Sequence, residues 1–221
     1  MTIQHHPDET TLLCYAAGTL SEPFAILVGS HVEMCPACRG ALRGMQALGG
    51  ALMATGPPAA LGAGALDDVM SRLDEPETFS ERRAALRKPA PAGHLPGPLA
   101  RLVGGGLDAI AWRKVLPGAD DRRYMFPYDG GAHSLRFLRA NPGRELPEHA
   151  HVGAELTLVL RGALRDGDRI FAAGDVTDMD DVGTHNPIVH GEETCFCVIA
   201  NEAPPRFKAM KMRILQKLIG I

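Results

Sequence analysis

The residues best suited to chemistry lie near the N-terminus, in the stretch HVEMCPAC. Cys35 and Cys38 are three residues apart and His31 lies four residues before Cys35, so helical spacing places the three side chains on one face. Thiolate and imidazole are ligands that zinc prefers, and a structural site needs four. The pair His5 and His6 is the expected source of the fourth. A Cys-x-x-Cys pair is also typical of redox sites, and the alternative without metal is two buried small hydrophobic residues and a surface histidine.

A second group of candidate metal ligands lies in the C-terminal half of the chain. His149, His151 and Glu155 are separated by even numbers of residues, so on a strand they face the same side. His185 can supply a fourth ligand from a neighbouring strand. Three imidazoles and a carboxylate suit zinc, iron, manganese or copper, and the spacing alone does not choose among them.

The elements that would hold the first group are helices. The sequence predicts one helix over residues 7–18, a second from residue 21 to about 31, and a third from residue 36 to about 53. Three helices of this size bury only a modest core, so a zinc ion would add stability that the bundle otherwise lacks. The predicted apolar stripe of the third helix is Cys38, Leu42, Met45, Leu48 and Leu52.

A short amphipathic helix is predicted beyond this bundle. Residues 55–64 contain two prolines and three glycines, which is typical of a flexible link. A short helix on such a link has little local stability, so we expect it to dock in the groove of a partner. The alternative is packing on its own bundle. Its apolar edge consists of Leu66, Val69, Met70 and Leu73.

A change of composition divides the chain into two predicted domains. Residues 1–85 form the helical domain, and residues 86–98 form a Pro/Gly-rich linker that should leave this domain separable. Residues 99–205 contain short alternating apolar runs between glycine turns, which indicates a β-sandwich or small barrel. Residues 206–221 are predicted to form a basic amphipathic helix that caps a barrel edge or, alternatively, binds a membrane surface.

Composition restricts the classes of function. The chain has 221 residues, 45% of them hydrophobic and 22% charged. It lacks the apolar run of about 18 residues that a membrane span needs. Five cysteines without a regular framework fit a reducing cytoplasm. Residues 1–85 carry 5 arginines and 10 acidic residues, a net charge of −5, which argues against direct nucleic-acid binding and suits a partner protein with a basic surface.

The N-terminal ligand group resembles a known domain. The set His6, His31, Cys35 and Cys38 is similar to the zinc-binding anti-sigma domain of bacterial regulators that inhibit extracytoplasmic-function sigma factors. This resemblance favours His6 over His5 as the fourth ligand.

The C-terminal ligand group resembles the first cupin motif, including the glycines at positions 143 and 162. Residues 174–185 have the spacing of the second motif and keep its metal histidine. Asp180, Val182 and Val189 stand where that motif usually has proline, glycine and asparagine. The resemblance implies a cupin barrel with a bound metal, and the alternative is a cupin that retains its histidines without metal.

A zinc anti-sigma domain followed by a cupin resembles the ChrR family over nearly the whole chain. The resemblance implies an all-α, zinc-stabilised N-terminal bundle and an all-β cupin barrel with a second divalent metal, either zinc or, alternatively, iron or manganese. It implies that the bundle binds and inhibits an extracytoplasmic-function sigma factor in the cytoplasm as a one-to-one heterodimer. The cupin would be needed for release in response to oxidative signals such as singlet oxygen.

The rival hypothesis is a cupin metalloenzyme, such as a dioxygenase, with a helical regulatory domain. Four protein ligands leave iron or manganese room for exogenous ligands, so the number of ligands does not decide between the hypotheses. The regulator hypothesis assigns no catalytic residue and accounts for the zinc domain. A sigma-factor gene directly adjacent to the gene for this chain would favour the regulator.

Overall fold

Helices form the N-terminal part of the protein. The computed structural model describes residues 2–73, 94–116, 118–125, 133–151, 153–179 and 184–213. The first helix begins at Glu9 because Asp8 caps it by accepting a hydrogen bond from the Thr11 amide. The helices in these ranges are α1 (Glu9–Ala17), α2 (Glu22–Met34), α3 (Pro36–Ala54), α4 (Ala65–Arg72) and α5 (Gly97–Val103), with a 3-10 turn at Leu107–Ala109.

Short antiparallel strands form the C-terminal part, so the predicted division into a helical and a β-rich part is confirmed. The strands in the described ranges are β1 (Arg113–Leu116), β2 (Ala119–Met125), β3 (Ser134–Ala140), β4 (His149–Ala150), β5 (Glu155–Arg161), β6 (Ala163–Asp166), β7 (Arg169–Ala172), β8 (Val176–Met179), β9 (Thr184–His185), β10 (Ile188–His190), β11 (Cys195–Asn201) and β12 (Arg206–Phe207). These strands form three sheets with the orders β1-β2-β3-β11-β5-β8, β10-β6-β7 and β12-β4-β9.

The six-stranded sheet is covered on both faces, which explains the continuous burial along β5. Side chains alternate between the two faces of a strand. Leu156 and Leu158 pack in the same hydrophobic cluster as residues of α2, whereas Glu155 and Thr157 line a cavity on the other face. A single strand therefore connects the helical layer with the interior of the barrel.

Helix α2 lies at the centre of the largest hydrophobic cluster. Leu27 and Val28 are fully buried and share this cluster with Phe137 of β3 and Val198 of β11. The helical and β-rich parts thus share one core across the predicted domain boundary. The separability of residues 1–85 stays a prediction, and the shared core means that separation would expose this face of α2.

The segment before the first strand contains a helix, whereas the sequence predicts a linker up to residue 98 and strands from residue 99. Residues 97–103 form α5, which begins with Pro98 in its first turn, where proline is tolerated. Leu95 and Leu99 are buried and bring α5 against α2. Gly29 of α2 instead permits the close approach of α1, because a Cβ there would lie 2.7 Å from Tyr15 Oη.

The prediction that an amphipathic helix begins at residue 206 is wrong. Arg206–Phe207 forms β12, which pairs with β4 through Arg206↔Ala150 and Phe207↔His149. The apolar Phe207 therefore faces the ring of His149, with centroids 5.7 Å apart. Residues 210–213 form a helical turn, and residues 214–221 lie outside the described residues, so the helix over that part stays a prediction. Among the described helices, none alone has the length and hydropathy of a membrane span; α1 and α2 reach them only as a pair bent by 108°.

Replacing Leu27 by alanine is expected to lower the free energy of unfolding by about 2–5 kcal/mol, because it leaves a cavity in the shared core. Leu52→Ala is the matched control, since Leu52 is 65% exposed, and it should change stability by less than about 0.5 kcal/mol. Urea unfolding monitored by circular dichroism measures both. Equal destabilisation by the two substitutions would contradict the central position of α2.

Candidate metal centres

Four possible metal-ligand atoms of the N-terminal part lie close together. His6 Nδ1, His31 Nε2, Cys35 Sγ and Cys38 Sγ all lie within 4.8 Å of one another. His31 Nε2 is 3.2 Å from Cys38 Sγ, and His6 Nδ1 is 3.4–3.5 Å from both sulfurs and from His31 Nε2. Tetrahedral zinc with its usual bond lengths separates nitrogen and sulfur donors by about 3.3–3.8 Å. The donor set and its spacing therefore fit a zinc ion.

The junction of α2 and α3 creates this arrangement, as the sequence predicts. Cys35 ends α2 and is also the N-cap of α3, and its Sγ accepts a hydrogen bond from the Cys38 amide at 3.4 Å. Pro36 follows in the first turn of α3. His31 lies in the last turn of α2, so the bend between the helices turns it towards both thiols.

The ring of His31 is oriented by the β-rich part of the chain. Its Nδ1 donates a hydrogen bond to the Gly174 carbonyl at 2.8 Å, which leaves the Nε2 lone pair facing the sulfurs. Burial lowers the pKa of His31 to about 4, so the ring is neutral at pH 7 and able to bind metal. Burial, and then the neighbouring Cys35, raises the pKa of the Cys38 thiol to about 12. A metal ion must therefore displace this proton when it binds.

The two adjacent N-terminal histidines have different surroundings. His6 belongs to the cluster of donor atoms. The Nδ1 of His5 lies 3.4 Å from Asp175 Oδ2, and its ring packs against Phe171 with centroids 4.5 Å apart. The structure thus brings His6, and not His5, together with His31 and the cysteines.

A second cluster of donor atoms lies inside the barrel. His185 Nε2 is 2.9 Å from His151 Nε2 and 3.2 Å from His149 Nε2, and His151 Nδ1 is 3.2 Å from Glu155 Oε2. The pairing His149↔His185 between β4 and β9 brings two of the rings together. The sequence-predicted group His149, His151, Glu155 and His185 is therefore assembled, with all four ligand atoms within 4.8 Å.

Neighbouring oxygens and an amide orient these ligands. His149 Nδ1 donates to the Pro147 carbonyl at 2.8 Å, and His185 Nδ1 donates to Asp166 Oδ2 at 2.6 Å. Both bonds leave the Nε2 atoms free to face the centre. The Asn201 side-chain amide donates to Glu155. The sequence analysis missed Asp166 and Asn201, because nothing in the local pattern distinguishes them from ordinary polar residues of turns and strands.

The electrostatics of the barrel cluster suit a cation. Burial lowers the pKa of His149 to about 4, so its ring is neutral at pH 7. Burial of Glu155 acts to raise its pKa, but the rings of His151 and His149 and the charge of Arg136 outweigh it and lower the pKa. A buried carboxylate beside three imidazoles is a donor set that zinc, iron or manganese accepts.

A cavity of about 80 Å³ adjoins this cluster. This volume exceeds the room that a single water molecule needs. Its polar lining includes Arg136, Glu155 and Cys197. The apolar wall includes Leu138, Leu164, Phe171, Ile199 and Phe207. The barrel thus has space for a small ligand beside the candidate metal ligands.

The predicted partner-binding helix forms and packs on nothing in the described part of the chain. Helix α4 has no buried residue. Its apolar edge consists of Leu66, Val69, Met70 and Leu73, with exposures of 72%, 58%, 55% and 68%. The predicted core stripe of α3 is correct only in its first half: Cys38 and Leu42 are buried, whereas Leu48 and Leu52 are 60% and 65% exposed.

These features define a class of two-part protein, in which a helical bundle with a Cys₂His₂ cluster packs on a cupin-like barrel with a His₃Glu cluster. Residues 103–204 match the ChrR Cupin-like domain family. The chain is 38% identical over 225 residues to the anti-sigma-E factor ChrR of Cereibacter sphaeroides, covering 100% of both chains. It superposes with TM-score 0.76 and 38% identity on the crystal structure of Rhodobacter sphaeroides SigE in complex with the anti-sigma ChrR, over 90% of this chain and 100% of that chain. The chain belongs to the ChrR family of anti-sigma factors.

Replacing His6 by alanine is expected to remove one zinc ion per chain from the purified protein, because three ligands hold zinc more weakly than four. His5→Ala is the matched control and should retain this ion, since His5 faces Asp175. Metal analysis after exhaustive dialysis measures both, and Cys38→Ser should behave as His6→Ala does. Loss of zinc from His5→Ala with retention by His6→Ala would reverse the assignment.

Proposed function

We propose that this protein is an anti-sigma factor that binds and inhibits an extracytoplasmic-function sigma factor as a one-to-one heterodimer. The observation that carries the proposal is the full-length similarity to the anti-sigma-E factor ChrR, at 38% identity. The fold of the similar structure was determined in complex with SigE, which supports a sigma factor as the partner. The described helices also offer exposed apolar surface that none of the described residues buries.

The binding surface that we propose is the apolar edge of α4 together with the exposed end of α3. Exposed apolar patches of this kind are typical of protein interfaces. An eight-residue helix without a buried residue is marginal by itself, so a partner groove would stabilise it. The net charge of −5 over residues 1–85 would assist docking on a basic, DNA-binding partner and leaves DNA itself unfavourable.

The two clusters have different proposed roles. We assign zinc to His6, His31, Cys35 and Cys38, where it would fix the turn between α2 and α3 and thereby the direction of the helices that carry the binding surface. For His149, His151, Glu155 and His185 we propose a second divalent metal: zinc, or alternatively iron or manganese. When bound, such a metal supplies a Lewis-acidic position for a small ligand.

The barrel is proposed to act in release of the sigma factor under oxidative signals such as singlet oxygen. Support comes from the cavity beside the His₃Glu cluster, which inhibition by the helical part does not require. The same cavity is the observation that favours the rival hypothesis, a dioxygenase-like metalloenzyme. Membership of an anti-sigma family over the full chain favours the regulator. We place its action in the cytoplasm, where free, buried cysteines remain reduced.

Placing charge on the apolar edge of α4 is expected to weaken sigma binding. The double substitution Leu66→Asp and Met70→Asp should raise the dissociation constant by about tenfold or more, as loss of interface anchors does. Ser71→Asp is the matched control, because Ser71 lies on the exposed polar side of the same helix and gains charge without losing an apolar contact. Binding is measured by titration with a candidate extracytoplasmic-function sigma factor. Equal effects of the two variants would remove α4 from the interface.

Removing the barrel metal is expected to abolish induction while leaving inhibition intact. His149→Ala and Glu155→Ala each remove a proposed ligand, whereas His190→Ala is a control at an exposed histidine. The readout is a sigma-dependent reporter with and without singlet oxygen, alongside metal analysis of each protein. Normal induction in a variant without barrel metal would exclude that metal from signalling. Constitutive reporter activity would instead mean that the barrel stabilises the sigma complex.

A further inference from the structure

Two residues of the barrel, Gly174 and Asp175, contact the N-terminal cluster close to His6 and His31. Gly174 and Asp175 form the turn that leads into β8. Gly174 binds the ring of His31 through its carbonyl, and Asp175 holds the backbone just before His6. We propose that this dipeptide positions two of the four ligands, so that the barrel determines how tightly the helical part holds zinc. The inference rests on the zinc assignment proposed above.

Asp175 fixes the N-terminal segment through its carboxylate. One oxygen, Oδ1, accepts hydrogen bonds from the Gln4 amide at 2.7 Å and the His5 amide at 3.0 Å. The other accepts from the Ala172 amide at 2.8 Å. The Val176 amide donates to the His5 carbonyl at 3.1 Å. The segment before His6 is thereby attached to the start of β8 on both sides of His5, and Asp175 itself is only 3% exposed.

Gly174 contributes through its carbonyl and through its lack of a side chain. Its φ is +95°, a conformation that favours glycine. A Cβ at this position would lie 2.6 Å from both Cγ1 and Cδ1 of Ile3. The side chain of Ile3 therefore rests directly on Gly174, and a residue larger than glycine would force this side chain to shift, which disturbs the packing of the N-terminal segment just before His6.

The same contacts lead towards the barrel cavity. Phe171 lines the cavity beside the His₃Glu cluster and also packs on the ring of His5, next to His6. Strand β8 pairs with β5, which carries Glu155. The two clusters are thus connected by a short series of packed side chains and backbone hydrogen bonds. Contact alone is not coupling, so the proposal needs a measurement at one cluster after a change in this turn.

The test is a double-mutant cycle between Gly174 and Ile3 in the full-length chain loaded with cobalt(II). Thiolate-to-cobalt absorption reports on the N-terminal cluster alone, because the barrel ligands contain no sulfur. Gly174→Ala should speed loss of this absorption to an excess of chelator by about tenfold, the usual cost of disturbing outer-shell partners of a metal ligand. Ile3→Ala in the same chain should restore slow release, because it removes the atoms that the new methyl group meets.

Gly167→Ala is the matched control for this cycle. Gly167 also has a positive φ, of 55°, but a Cβ there meets nothing within 4 Å, so it carries backbone strain without the contact. The control should release cobalt at the wild-type rate. Wild-type release from Gly174→Ala, or fast release that Ile3→Ala does not reverse, would overturn the proposal.

A second measurement addresses Asp175 without any metal. In the metal-free protein, the amides of Gln4 and His5 should be protected from hydrogen exchange, and Asp175→Ala should remove this protection whereas Asp168→Ala, at an exposed turn residue, should not. Unprotected amides in the wild-type metal-free protein would overturn the proposal. Protected amides in a protein that binds neither zinc nor cobalt would support the attachment by Asp175 and refute the zinc assignment, so the two failures are distinguishable.

Discussion

Burial of α2 against the six-stranded sheet is the constraint on which the rest of the structure depends. Both Leu27 and Val28 are inaccessible to solvent, and the strand beneath them, β5, alternates between this core and the barrel interior. Leu158 faces the helices while Glu155 faces the barrel cluster. The hydrophobic contact that orients α2 therefore also fixes the position of His31 relative to the sheet. Loss of this packing would also separate His31 from the Gly174 carbonyl that orients its ring.

The helical part combines one fully covered surface with one that nothing in the described chain covers. Helix α2 and the first half of α3 bury their apolar side chains, whereas the second half of α3 and all of α4 expose theirs. Burial of such side chains stabilises by about 25 cal/mol per Å², so the exposed leucines would gain that stabilisation only by packing against a further surface. This division explains how one small bundle can be anchored to a barrel and still present an interface.

Much of the fold and of both clusters could be predicted because the relevant signals are local. Helical spacing brings Cys35 and Cys38 together and capping residues mark helix ends. The expected single strand through His149, His151 and Glu155 does not form, because β4 ends at Ala150 and β5 begins at Glu155. The predictions that were wrong concern contacts that the spacing of residues does not determine. The apolar stripe of α3 continues to Leu52, and nothing in the sequence marks the residue at which its burial by other elements ends. Strand β12 forms because β4 offers it a backbone partner.

The residues that hydrogen-bond to the N-terminal histidine ligands or to their segment are even harder to predict from the sequence. A carbonyl such as that of Gly174 exists at every position, so its bond to His31 leaves no trace in sequence. Asp175 has the composition of an ordinary turn residue, although its carboxylate accepts three backbone hydrogen bonds. The contacts of both residues form only when the chain folds and elements distant in sequence come together.

The two clusters also differ in access, and this difference determines where a chemical signal can enter. The N-terminal set offers four donors, two of them thiolates when metal is bound, which is a closed coordination sphere typical of structural zinc. The barrel set adjoins a cavity of about 80 Å³, so a small molecule can approach it. Under the proposed function, a signal received in the barrel would have to reach the helices through physical contacts. The turn at Gly174 and Asp175 touches the surroundings of both His6 and His31, so a shift of this turn would act directly on two of the proposed zinc ligands.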